Sequence, residues 1–319
     1  MSAAAGARAS SLVPVGTTAV THRTVQIDGV EVFYRAAGPV SAPVLLLPHG
    51  YPCSSFQFRA LMPALADRWR VIAPDFPGFG YSGTPKDFAY DFDGYAHFLD
   101  RFAVALELRR YALYLHDYGS QIGLRHAILR PGRICALIIQ NGDIHEDTLG
   151  PKYAAIQAYW NDPSPAHLEV LERAVSEEGF RHEFVGEVSS RVAPRLAPDL
   201  WRLHWRLMDT PARRGIALDL MKGLKDNLQW FGRYQEYLRT FRPPTLILWG
   251  PQDGYMPLEA GRAYLRDLPD AEFHVFDDGG HWLLETHLAE LLPRLRDFLG
   301  RHLPAPADAP ARTIEGVPV

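Results

Sequence analysis

Short apolar runs alternate with stretches of helical spacing along most of the chain. Residues 24–27 and 30–35 alternate apolar and polar side chains on either side of Asp28-Gly29, a pair suited to a type I′ turn, and predict a hairpin. Val44-Leu45-Leu46-Leu47 is too short for a helix and apolar throughout, which predicts a strand buried on both faces. Arg70-Val71-Ile72-Ala73, stopped by Pro74, reads the same way, as do residues 111–116, 134–140, 245–249 and 272–276. Helical spacing fills the intervals at 54–65, 95–108, 121–130, 258–268 and 288–299. In 95–108, Phe98, Phe102 and Ala105 form one stripe, and 121–130 ends at Pro131-Gly132. Strands alternating with helices predict an α/β fold, a mostly parallel sheet covered on both faces.

One stretch breaks this rhythm. Residues 144–242 hold no strand-like run, read as several helices, and carry many aromatics, among them Tyr153, Tyr159, Trp160, Trp230, Phe231 and Tyr234. The expectation is a helical insertion between two strands, a cap over their ends. The core then divides into 21–143 and 243–302. Residues 1–20, rich in Ala, Ser, Gly and Thr and without the compact apolar core of a secretory signal, and 303–319, rich in Pro and Ala, are expected to be flexible tails.

Composition narrows the function classes. The 319 residues include 33 Lys and Arg against 37 Asp and Glu, a net charge of −4, so no basic footprint for nucleic acid is expected. No apolar run approaches the ~18 residues that cross a bilayer, so no membrane partner is expected either. Cys53 and Cys135 are the only cysteines. They cannot build a disulfide framework or a cysteine-rich metal site, and they fit a reducing, cytoplasmic compartment.

In an open parallel sheet, ligands bind beyond the carboxyl ends of the strands. There the chain places Pro48-His49-Gly50-Tyr51-Pro52, His116-Asp117-Tyr118-Gly119-Ser120-Gln121-Ile122-Gly123, Gly250-Pro251-Gln252-Asp253 and Asp277-Asp278-Gly279-Gly280-His281. Each strand end offers a polar group beside glycine. The segment from His116 to Gly123 resembles the nucleophile elbow of the haloalkane dehalogenase and epoxide hydrolase branch of the α/β-hydrolases, where the elbow residue is aspartate. His49-Gly50-Tyr51-Pro52, the run from Ala73 to Ser82 and Gly279-Gly280-His281 are similar to the same branch, and the resemblance spans residues 24–299.

The resemblance implies an α/β-hydrolase fold with an inserted helical cap, no cofactor and no metal, and a small apolar organic substrate with water. It implies Asp117 as nucleophile, Asp253 as acid and His281 as base, in the chain order nucleophile, acid, histidine. A carboxylate can displace a leaving group from saturated carbon and form an alkyl ester. A neutral imidazole then activates water against that ester, and an acid holds the ring in its tautomer. Asp143, beyond the strand 134–140, is a rival for the acid. Ser120 is a rival nucleophile, disfavoured because Tyr118 and Ile122 flank it where a tight elbow wants small residues. By analogy with the branch, the backbone N–H groups of Tyr51 and Tyr118 would form the oxyanion hole.

The leaving group divides the branch. A halide wants indole or amide donors, usually a Trp after the nucleophile; Tyr118 and Tyr51 stand at the places concerned, although Trp160 could supply one indole. A fluoroacetate-type dehalogenase should carry Arg where Tyr118 stands. An epoxide oxygen wants an acid, supplied in the branch by cap tyrosines. Tyr153 or Tyr159 is expected as the first and Tyr234 as the second, although Trp230-Phe231 occupies the expected place. His49, Trp230, Phe231 and Trp282 are expected to line the pocket. The leading expectation is an epoxide hydrolase. The alternatives are a haloalkane dehalogenase, a carboxylesterase working through Ser120, and a non-catalytic ligand-binding relative.

Overall fold

The computed structural model describes residues 19–304 apart from Glu187. Eight strands form one sheet: β1 (Thr21–Ile27), β2 (Val30–Ala37), β3 (Val44–Leu46), β4 (Arg70–Pro74), β5 (Tyr111–His116), β6 (Ile134–Gln140), β7 (Thr245–Trp249) and β8 (Glu272–Val275). Their order is β1-β2-β4-β3-β5-β6-β7-β8. β1 and β2 form the expected hairpin, with Asp28 and Gly29 at φ 50° and 80°, as a type I′ turn requires. β2 also pairs antiparallel with β4; the pairs from β4 to β8 are parallel. The crossover order puts β3 and β5 at the centre, so their carboxyl ends lie side by side.

β3 and β5 are buried at every position because both faces are covered. Tyr111, Leu113 and Leu115 of β5 enter one core cluster, with Phe98, Phe102 and Ile122 from helices on that face. Ala112 and Tyr114 enter a second, with Leu61, Leu65, Leu295 and Phe298 from helices on the other. The side-chain period of two distributes one run between two cores.

Helix boundaries differ from the expected ones where local capping decides. Residues 54–65 form a 3-10 turn, Ser55–Phe58, and a short helix, Leu61–Leu65. The next helix is Phe92–Ala105, three residues earlier than the expected start at 95, because the Asp91 side chain accepts the Gly94 N–H at 2.7 Å. Residues 258–268 tighten from the helix Leu258–Ala263 into a 3-10 turn, Tyr264–Arg266. The last helix runs Leu288–His302.

Between β6 and β7 the described residues form helices and turns without a strand. The helices include Ala154–Asn161, Pro165–Ala174, Glu177–Val185, Asp199–Met208, Pro211–Leu228 and Phe231–Phe241. The flexible tails expected at 1–20 and 303–319 fall almost wholly outside the described residues. Leu303, grouped with the tail by composition, is buried, and its carbonyl accepts the Trp69 indole N–H at 3.0 Å. No helix among the described residues is long and apolar enough to cross a membrane.

Leu113 is fully buried at the sheet centre. Leu113→Ala should lower the unfolding free energy by about 2–5 kcal/mol, seen as a lower denaturant midpoint at unchanged slope.

Candidate active site

The turn after β5 brings the site together. Asp117 follows the strand at φ 53° and ψ −133°, a left-handed conformation that a side chain rarely adopts, and the helix Tyr118–Leu129 begins at the next residue. Two glycines permit this approach. A Cβ on Gly119 would stand 2.3 Å from the Pro48 carbonyl, and one on Gly50 would stand 2.6 Å from Asp117 Oδ1. With both gaps closed, the Tyr51 N–H donates to Asp117 Oδ1 at 2.6 Å. The backbone of Asp117 is itself held, its N–H donating to the Asn141 carbonyl at 3.1 Å.

His281 comes from the loop after β8. Its Nδ1 lies 2.6 Å from Asp253 Oδ2, and its Nε2 stands 3.5 Å from Asp117 Oδ2 without a hydrogen-bond partner. The imidazole therefore bridges two carboxylates. Asp253 Oδ1 accepts the N–H groups of Tyr255 at 2.9 Å and Met256 at 3.1 Å. Asn141, which sequence reasoning missed, donates from Nδ2 to Asp253 Oδ2 at 2.9 Å and accepts the Gly250 N–H at 2.9 Å. The signal available was an Asn-Gly pair at a strand end. Behind the imidazole, His116 Nε2 and Gln140 Nε2 both donate to the His281 carbonyl, at 3.0 and 2.9 Å, while Gln57 donates to His116 Nδ1 at 2.7 Å.

Burial and charge set the protonation of this group. Burial pushes Asp117 up to about 6, against the His281 charge and the N–H groups of Tyr118 and Tyr51. Burial would lower His281, but Asp253 and Asp117 override it and hold the ring at about 9. Asp253 stays below the usual carboxylate range despite its burial, because His281 and two backbone N–H groups favour its charged form. At neutral pH the resting group is a carboxylate, an imidazolium and a carboxylate. Such an arrangement can attack an electrophilic carbon through Asp117 and later pass protons through His281.

The space in front of Asp117 is narrow, about 20 Å³, close to what one water needs. Tyr51, Tyr118, Tyr153, Tyr255, Glu183 and Met221 are among the residues that line it. Glu183 and Tyr255 carried no sequence signal. Lys152 sits 4.6 Å from the Tyr255 ring centre and 3.4 Å from Glu183 Oε2.

Several residues expected here lie elsewhere. His49 is buried behind the loop: its Nε2 accepts the Phe76 N–H at 3.1 Å, so Nδ1–H donates to the Gly50 carbonyl at 2.9 Å. Burial lowers its pKa to about 3, so it stays neutral. Its contacts hold the Tyr51 loop and do not line the pocket. Tyr234 is fully buried and accepts from Arg125 Nε at 2.7 Å; Trp230 lies 4.2 Å from the Arg125 guanidinium carbon. Trp230 caps, and Phe231 and Tyr234 lie on, the helix Phe231–Phe241, which packs on Tyr118–Leu129; none of the three lines the space at Asp117. Tyr159 and Trp160 pack against the core and do not line the space at Asp117. Trp282 lies edge-on to His281 at 4.7 Å and donates to the Glu183 carbonyl at 3.0 Å, which makes it a support and not a pocket wall. Ser120 Oγ is buried beside Gly142 with no imidazole in hydrogen-bond reach. Asp143 accepts Gln121 Nε2 at 3.0 Å and does not touch His281. Among the described residues no cluster of metal-ligating side chains occurs.

The alpha/beta hydrolase fold family matches residues 43–288. The chain belongs to this family. It is similar to an uncharacterized hydrolase of Saccharomyces cerevisiae, YNR064C, at 32% identity over 277 residues, covering 85% of this chain and 93% of that one. It is also similar to haloalkane dehalogenase 2 of Mycobacterium tuberculosis, at 31% over 218 residues, covering 67% and 72%. The solved structure of the epoxide hydrolase CorEH superposes with a TM-score of 0.72 at 19% identity, covering 89% of this chain and 99% of that one. The chain is thus a hydrolase of the α/β-hydrolase superfamily, with epoxide hydrolases and haloalkane dehalogenases among its neighbours.

A left-handed residue with a side chain costs about 1–3 kcal/mol. Asp117→Gly relieves that strain and removes a buried carboxylate, offset by about 0.5–1 kcal/mol of added chain entropy. It should therefore be more stable than the native protein by about 1 kcal/mol and inactive, as chemical denaturation and turnover assays would read.

Proposed function

We propose that this hydrolase opens an epoxide to a diol through a covalent ester on Asp117, without a cofactor. One observation carries the choice: the space at Asp117 is lined by tyrosines, Tyr153 among them, and no indole is among its lining residues. A ring-opening alkoxide needs a proton, which a phenol can donate; a departing halide needs only N–H donors. In the first step Asp117 attacks the epoxide carbon while Tyr153 protonates the oxygen. Ester formation removes the Asp117 charge that helps hold His281 protonated, so the ring can release its proton and act as base. His281, oriented by Asp253, then takes a proton from water, which attacks the ester carbonyl. The backbone N–H groups of Tyr51 and Tyr118 stabilise the tetrahedral oxyanion, an effect worth ~2.7–4 kcal/mol per donor in such sites. Two free cysteines, Cys53 and Cys135, support a reducing compartment such as the cytoplasm.

The similarity to haloalkane dehalogenase 2 favours a second reading with the same ester. An epoxide panel should yield diol and a haloalkane panel no halide; halide release without diol would reverse the assignment. In His281→Gln, quenched during turnover, mass spectrometry should find the substrate's mass added to the Asp117 peptide, and an adduct elsewhere would end the mechanism. The rate of ester formation should fall as pH drops through about 6, where Asp117 takes up a proton.

A further inference from the structure

His281 is held by its backbone as well as by its ring. Its carbonyl accepts His116 Nε2 at 3.0 Å and Gln140 Nε2 at 2.9 Å, which fills both lone pairs. His116 and Gln140 are register partners at the carboxyl ends of β5 and β6, so their side chains lie together on one face of the sheet. Gln140 is fixed from behind, since its Oε1 accepts the Tyr114 hydroxyl at 2.5 Å. His116 is fixed by Gln57, on the turn Ser55–Phe58: Gln57 Nε2 lies 2.7 Å from His116 Nδ1, and Gln57 Oε1 accepts the Gly50 N–H at 3.4 Å. Gln57, His116 and Gln140 are all buried.

These partners admit one protonation state of His116. A carbonyl only accepts, so Nε2 carries the hydrogen. The Gln57 oxygen faces the Gly50 N–H, so Gln57 presents its amide hydrogens to Nδ1, which must be the bare nitrogen. A second proton on the ring would face a donor and lose that hydrogen bond. The ring therefore stays neutral at 4.4 Å, centre to centre, from the His281 ring, and sets no charge against the imidazolium. Trp282 stands edge-on to both imidazoles, at 4.7 Å from His281 and 5.3 Å from His116, and closes the remaining side.

This clamp matters most midway through the reaction. In the resting site the His281 ring is held from two sides, by Asp253 at 2.6 Å and by the charge of Asp117 at 3.5 Å. Once Asp117 is an ester its charge is gone, yet Nε2 must still aim at the water that attacks the ester. Asp253 and the backbone of His281 then fix the ring between them. We infer that His116 is a positioning residue for the hydrolysis half of the reaction: braced by Gln57 and paired with Gln140, it clamps the His281 carbonyl and keeps the base in place when Asp117 no longer attracts it. The inference rests on the covalent ester on Asp117 and holds for either leaving group. The same chain joins the loop that presents the Tyr51 N–H to the base, through Gly50, Gln57 and His116.

His116→Leu keeps the bulk of the side chain and removes the donor. Ester formation and ester decay should be followed separately, by rapid quench and mass spectrometry of the Asp117 peptide, with whichever compound of the epoxide and haloalkane panels the native enzyme converts fastest. In His116→Leu, formation should stay within about twofold of native and decay should slow by about tenfold or more, so that the adduct accumulates. His116→Gln, whose amide reaches the place of Nε2, should bring decay back to within about threefold of native. Native decay in His116→Leu, both steps slowed alike, or no recovery in His116→Gln overturns the inference. Should His116→Leu fail to fold by circular dichroism, Gln57→Leu carries the test: its adduct should also accumulate, and native decay there overturns the proposal. An adduct trapped in His281→Gln while ester decay in His116→Leu stays native refutes the positioning role alone; no adduct in either refutes the Asp117 ester and the positioning role together.

Discussion

The closeness of the loop after β3 to the turn after β5 governs the rest of the site. Gly50 and Gly119 have no Cβ, and only so can the Tyr51 N–H reach the Asp117 carboxylate. The central position of β3 and β5 in the sheet brings these loops together, and the left-handed backbone at Asp117 turns its side chain toward them. The strain is local, and the surrounding contacts over-determine it: the Asp117 N–H is tied to Asn141, and its helix starts immediately.

Burying three ionisable side chains in one spot is costly unless each charge has a partner. Here the imidazole stands between two carboxylates, and both are also supported by backbone N–H groups. Asp253 also accepts from the His281 ring at 2.6 Å and the Asn141 amide at 2.9 Å, so it stays below the usual carboxylate range while burial lifts Asp117. The better satisfied carboxylate fixes the orientation of the ring, and the other faces the open space lined by tyrosines. Asn141 joins the two halves, since its carbonyl holds the Asp117 backbone and its side chain holds Asp253.

The helices between β6 and β7 contribute in two ways. Tyr153 and Glu183 reach the space at Asp117 directly. The helices Pro211–Leu228 and Phe231–Phe241 instead lock onto the helix after the elbow, through Asn227 and Tyr234 meeting Arg125. Aromatic side chains that look alike along the chain therefore divide between lining and anchoring.

The sheet, the helices between its strands and the positions of Asp117, Asp253 and His281 at strand ends were legible in the sequence, because apolar runs, turn residues and strand ends are local signals. The resemblance pointed to Asp253 as the acid with Asp143 as a rival, since both follow strands; the ring meets Asp253 at 2.6 Å because of how β6 and β7 end in three dimensions. The pocket walls were not legible. Tyr234, Trp230 and Phe231 were equal candidates with Tyr153 by composition, and Glu183 and Tyr255 had no signal. The direction each side chain takes is fixed by the packing of its helix, which no spacing encodes. The sequence by itself determined the covalent framework and the chemistry of the strand ends; tertiary structure alone decided which side chains face Asp117, because facing is a relation between residues far apart in the chain.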